Sequence, residues 1–192
     1  ANQLALVLVR AKQKRRPGPI IPAGDLANQA ITLLPFELTG SQRHALAEIG
    51  GDLASGQRMQ RLLQGDVGSG KTVVAFLAAL AAVEAGGQAA LMAPTDVLAR
   101  QHARTLTALG HKIGVTVDVL TGRDKGKARQ AKLMALAEGA TNVLIGTHAL
   151  FQNDVGFKDL ALIIVDEQHR FGVDQRMALA AKGLAPHLLS MT

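Results

Sequence analysis

From Leu38 onward the apolar residues of this chain follow a regular pattern of alternating helical and strand-like stretches. Helices are predicted over 40–54, 70–85, 96–109, 125–138 and 173–182, and strands over 59–63, 88–93, 114–119, 142–145, 161–165 and 187–191. The run Ala161-Leu162-Ile163-Ile164-Val165 is apolar without interruption, as a strand buried on both faces should be. Strands that alternate with helices imply an α/β domain: a mainly parallel sheet with helices on both faces. Residues 1–16 are apolar at first and then basic, and a helix is predicted there. Pro17, Gly18, Pro19, Pro22 and Gly24 then break regular structure and mark a linker. The expected division is therefore a helical and linker segment over 1–35 and one domain over 36–192. The chain starts in mid-element without a methionine, so a cut from a longer protein is expected. There is no internal repeat and no low-complexity tract.

Composition narrows the class. Nearly half of the 192 residues are apolar, 48%, which allows a sizeable core. Cysteine is absent, which excludes disulfides and thiolate metal sites and suits a reducing cytosol. No run approaches the ~18 apolar residues of a membrane span, and no signal-peptide order is present, so no membrane partner is expected. Trp and Tyr are missing, which leaves base stacking to the five Phe or to Arg. Net charge is +6 and uneven. Residues 1–35 hold Arg10, Lys12, Lys14, Arg15 and Arg16 against the single acid Asp25. That cluster suits nucleic-acid phosphates, and equally a solvated helix end.

The chemistry sits in Gly65-Asp66-Val67-Gly68-Ser69-Gly70-Lys71-Thr72, which fits the phosphate-cradling pattern G-x-x-x-x-G-K-[ST]. Its glycines let backbone N–H groups turn inward at the positive end of the following helix. Lys71 is positioned to reach β- and γ-phosphates, and the Thr72 hydroxyl to ligate Mg²⁺. By chance such a match arises in on the order of one chain in a hundred of this length. The predicted strand before it and helix after it supply the required context. Asp166 and Glu167 follow the buried run at 161–165, where ligands bind in open α/β sheets. Asp166 suits the metal, and Glu167 suits orienting and deprotonating a water.

Other loops follow predicted strands and belong on the same edge. They hold Thr95 with Arg100, Gln101 and His102 behind it, Thr121-Gly122, and Thr147-His148. Each Thr alone suits a helix N-cap equally well. Together on one edge they read more easily as a nucleic-acid track that contacts phosphates. Among the histidines, His44, His102, His111 and His187 show no metal-ligand spacing and are expected to be ordinary. His148 and His169 stand beside phosphate-edge motifs and are candidate relays of ligand state.

These stretches resemble the motifs of superfamily 2 helicases over essentially the whole chain. Leu34–Gln42 is similar to that family's adenine-sensing segment, which implies that Gln42 reads the adenine edge, with Phe36 either near the ring or in the core. Gly65–Thr72 matches motif I. Ala93–His102 resembles motif Ia, with Asp96 where Glu is more usual, and Gly146–Leu150 resembles motif Ib. In Val165–Arg176, Gln168 favours the helicases that remodel forks over the transcription-repair coupling translocase. Residues 1–35 resemble the connection from a DNA-binding wedge domain, and Ser190-Met191-Thr192 the first letters of motif III. The resemblance implies a RecA-like P-loop domain with ATP and Mg²⁺ as cofactors. Its implied partners are branched double-stranded DNA, such as stalled forks and Holliday junctions, and a second RecA-like domain that supplies an arginine. A monomer in the nucleoid-associated cytoplasm is expected, and without the second motor domain near-background activity. From a different class, a non-motor P-loop ATPase or switch needs neither the Thr-bearing loops nor that second domain.

Overall fold

The computed structural model describes residues 7–10, 17–167 and 173–192. Its apolar runs are strands whose successive residues enter two different cores. In β3 (Gln88–Met92), Ala89 and Leu91 pack on one side and Ala90 and Met92 on the other. In β6 (Leu160–Val165), Leu162 and Ile164 face the first core, and Ile163 and Val165 the second. With both faces covered no position is left for a polar residue, which is why the runs are uninterrupted.

The sheet has seven strands. Besides β3 and β6 they are β1 (Val7–Arg10), β2 (Gln60–Gln64), β4 (Val117–Leu120), β5 (Val143–Gly146) and β7 (His187–Met191). Their order is β1-β2-β7-β6-β3-β5-β4. Every pair from β2 to β4 is parallel, and β1 joins the β2 edge antiparallel. Helices α1 (Leu26–Thr32), α2 (Gly40–Ala54), α3 (Lys71–Glu84) and α4 (Asp96–Lys112) bury Ala30, Ile49, Phe76 and Leu106 in the first core. Helix α5 (Gly126–Glu138), a 3₁₀ turn (His148–Phe151) and α6 (Val173–Ala180) bury Leu136, Leu150 and Leu179 in the second.

Three expectations change. The helix predicted over 1–16 is, at Val7–Arg10, a strand with Val7 opposite Gln64 and Arg10 opposite Arg61. Pairing with an open sheet edge overrides local preference there; the rest of 1–16 lies outside the described residues. The predicted linker contains α1, whose Asp25 and Leu26 N–H groups each donate to the Glu84 carboxylate at 2.9 Å. Finally, α4 runs on to Lys112 and β4 starts only at Val117. Between them Gly114 takes φ +74°, and the Val115 N–H closes on the Gly110 carbonyl at 2.9 Å.

Candidate nucleotide site and nucleic-acid edge

The loop Gly65–Thr72 leaves β2 and enters α3. Gly68 and Gly70 adopt φ +82° and +83°, a region that side chains disfavour. Gly70 also has no room for one, because a Cβ there would lie 2.2 Å from the Gln42 Nε2. The Lys71 ammonium donates to the carbonyls of Gly65 and Asp66, the latter at 2.9 Å. Ser69 is 5% exposed, and its hydroxyl, alone among the described buried side-chain atoms, has no hydrogen-bond partner. An orphaned hydroxyl in a glycine cradle with an ammonium at its rim fits a polyphosphate.

Gln42 forms one wall of this loop. Thr39 caps α2: its hydroxyl accepts from the Gln42 N–H at 3.2 Å, and its own N–H donates to Gln42 Oε1 at 2.9 Å. The Gln42 amide nitrogen donates to the Ser69 carbonyl at 2.8 Å. One donor hydrogen and one acceptor lone pair of that amide are left for another partner. Phe36 is 48% exposed, which removes the core alternative for its side chain.

Asp166 and Glu167 end β6, two strands from β2 and on the same edge of the parallel sheet. The Asp166 N–H donates to the Met92 carbonyl at 2.8 Å, and its carboxylate lies 2.9 Å from the His102 Nε2. Glu167 holds φ +52°, a strained backbone of the kind that clusters at working sites. Gln168 and His169 lie outside the described residues. Among the described residues no three His, Asp or Glu converge as a metal cage. A divalent ion here would depend on Thr72, Asp166 and oxygens of a bound phosphate, which is the usual mode for Mg²⁺.

The Thr-bearing loops do come together. The Thr95 hydroxyl caps α4, accepting from the Leu98 N–H at 3.2 Å. Thr147 donates to the Asp96 carboxylate at 3.2 Å, Arg100 donates to the Thr121 hydroxyl at 3.2 Å, and a Cβ at Gly122 would stand 3.9 Å from the His148 Nε2. Thr121 is fully buried and Thr147 is 2% exposed, so these two hydroxyls knit the loops to one another. The surface of this edge is left to Thr95, Arg100, Gln101, Gly122 and His148, which are exposed. Asp124 braces the Thr121 turn, accepting from its N–H at 2.8 Å and from Lys132 at 2.9 Å. Burial pushes the Asp124 carboxyl up, but the Thr121 N–H and the Lys132 ammonium outweigh it and hold it below the ordinary carboxylate range.

His102 is the residue that spacing alone misses: expected to be ordinary, it bridges α4 to Asp166. The readable signal is a polar ring inside the buried stripe Ala99, Ala103, Leu106 of that helix.

A family model described as DEAD/DEAH box helicase matches residues 39–187. The ATP-dependent DNA helicase RecG of Escherichia coli K12 is 49% identical over 197 aligned residues, which take in 100% of this chain and 28% of that protein. RecG of Bacillus subtilis is 54% identical over 162 residues, or 84% of this chain and 24% of its own length. The chain thus spans about a quarter of the length of these relatives. Among solved structures, RecG bound to a three-way DNA junction superposes with a TM-score of 0.78 at 44% identity, over 91% of this chain and 24% of that one. Yeast Dbp5, at 18% identity and a TM-score of 0.66 over 89% of this chain and 46% of its own, shares the RecA-like fold.

Proposed function

This chain belongs to the DEAD/DEAH box helicase family, and on that footing we propose that it is the ATP-binding motor domain of a RecG-type DNA helicase, one that couples ATP hydrolysis to remodelling of branched DNA. The observation that carries the proposal is the placement of Gly65–Thr72 and Asp166-Glu167 at the ends of parallel strands on one sheet edge, beside the joined loops of Thr95, Thr121 and Thr147. Lys71 exchanges the Gly65 and Asp66 carbonyls for β- and γ-phosphate oxygens, and Gln42 turns its remaining donor and acceptor to the adenine edge, with Phe36 at hand to pack on the ring. Thr72 and Asp166 hold Mg²⁺, which when bound offsets phosphate charge. Glu167 orients the attacking water and takes its proton, and His169 relays the state of the site. Arg100, Gln101 and His148, with the Thr95, Thr121-Gly122 and Thr147 loops behind them, contact DNA phosphates, because a motor must pass over any base sequence. A second RecA-like domain completes the site with an arginine.

In the full-length protein, Lys71→Ala is expected to abolish most nucleotide binding. Glu167→Gln is expected to keep binding and slow hydrolysis by ~10²–10⁴, the usual worth of a positioned base. Undiminished ATPase in Lys71→Ala would overturn the nucleotide site. Stimulation of the parent ATPase by a three-way junction that is no greater than by a linear duplex of equal length would overturn the branched-DNA assignment.

A further inference from the structure

We propose that the DNA track does not stop at the sheet edge: it continues down the outer face of α4 in a groove that takes a phosphodiester backbone. The proposal rests on the DNA-motor reading above and extends it to residues outside the loops. Arg100, Arg104, Thr107, His111 and Lys112 recur at helical spacing, so they form one stripe along α4, and all are exposed. With Val119 of the edge strand β4 they line a groove of about 670 Å³.

The groove has a single sign of charge, and no carboxylate lines it. The acid of α4, Asp96, is turned to Thr147 and lies 3.8 Å from Arg123. The acid of β4, Asp118, alternates to the opposite sheet face, where it meets Lys132 at 3.5 Å. Among the described residues Arg104 and Lys112 therefore have no acidic partner. An ordinary solvated helix face intersperses both signs one turn apart, whereas Arg100 and Arg104 put like charges there. The helix dipole accounts for His111 and Lys112 in the last turn, but its pull fades within that turn and gives no reason for Arg100 and Arg104 further back.

Two observations favour a nucleic-acid strand over an acidic protein segment. The groove is continuous with the ligand edge, since its first cation, Arg100, is the one bonded to Thr121 at 3.2 Å. Its apolar residues are also small, Ala103, Ala108 and Val119, with no aromatic or long aliphatic side chain of the kind that anchors a bound peptide. From Arg100 to Lys112 the helix rises ~18 Å, a length that along the axis of a duplex takes in about five base-pair rises of ~3.4 Å.

The test is the salt dependence of binding to a fluorescein-labelled 20-base-pair duplex, comparing the parent chain with Arg104→Ala/Lys112→Ala. Removing two phosphate contacts should make the slope of log affinity against log salt shallower by ~1.8, at ~0.9 per contact. Arg104→Lys/Lys112→Arg, which keeps the charge, should restore the slope, and an unchanged melting temperature shows that the fold is kept. A parent that binds with salt dependence and a double variant with the same slope would overturn the groove and leave the motor reading standing. If the double variant instead lost affinity only for a polyglutamate peptide, the occupant is an acidic protein and the proposal fails. A parent chain with no salt-dependent DNA affinity would overturn the motor reading itself.

Discussion

The His102 imidazole lies 2.9 Å from the Asp166 carboxylate, with both side chains 13% exposed, so the helix that carries Arg100 and the tip of β6 share one contact, at the acid proposed above for the metal. Partners of a ligating carboxylate fix its orientation, and losing one typically costs ~10–100-fold in metal affinity. In His102→Ala the Mg²⁺ concentration needed for tight ADP binding should rise by that factor, with metal-free ADP binding unchanged. Calorimetric titration of ADP at stepped Mg²⁺ checks this; an unaltered Mg²⁺ dependence would remove His102 from the site. The loop Gly65–Thr72 is legible in sequence because a phosphate cradle demands those residue types at fixed spacing, and the structure does set it between a strand and a helix, on the sheet edge where Asp166 ends β6. The direction of a side chain is not legible. Thr121 and Thr147 have the residue type that caps helices or touches phosphates, yet their hydroxyls turn inward to Asp124 and Asp96. Gln42 has the residue type that reads adenine, and its amide also joins the α2 cap to the phosphate loop.

At the scale of elements, α1 is held by a carboxylate from another helix. Glu84, the last residue of α3, accepts from both the Asp25 and Leu26 N–H groups at 2.9 Å, doing what an N-cap side chain does locally. Glu84→Ala should therefore cost ~0.5–2 kcal/mol, the range for a lost cap. Hydrogen exchange should speed up over Leu26–Thr32 and not in α2; unchanged protection there would show that packing of Ala30 suffices. Asp25 stands at the N-cap, but its carboxylate accepts from the Gln29 side chain and leaves the first turn to Glu84; the Pro and Gly residues of 17–24 mask that cap in the sequence. The reverse holds for α2 to α5 and for β2, β3, β5, β6 and β7, whose periodicity and flanking turns are local and therefore readable. Val7–Arg10 is the ambiguous case: a short apolar run fits a buried helix or a strand, and the free edge of β2 decides it.

At the scale of the whole molecule, His187 ties three distant segments together. It is fully buried at the start of β7; its Nδ1 accepts from the Met59 N–H at 2.9 Å, and its Nε2 donates to the Pro19 carbonyl at 2.8 Å. Burial pushes its pKa below the ordinary histidine value, with Arg58 adding to the effect and Pro19 and Asp52 opposing it. A folded-state pKa below the unfolded one means that the unfolded chain binds more protons once pH falls under ~6.5. The contribution of His187 is thus complete above ~6.5 and declines as pH falls towards the folded value. Urea unfolding from pH 5 to 8 should show stability rising and then levelling, and His187→Ala should flatten that rise and cost ~1–3 kcal/mol for the stranded backbone groups. A variant with the parent's pH profile would place the dependence elsewhere. The strands that His187 helps to join also divide the interior into two cores with no side chain in common. Changes on opposite faces of the sheet should then combine additively, while neighbours on one face couple. Helix α3 rests wholly on the first face, whereas α5 and α6 pack on the second, so substitutions under α5 and α6 should leave the packing of the helix behind Gly65–Thr72 unchanged.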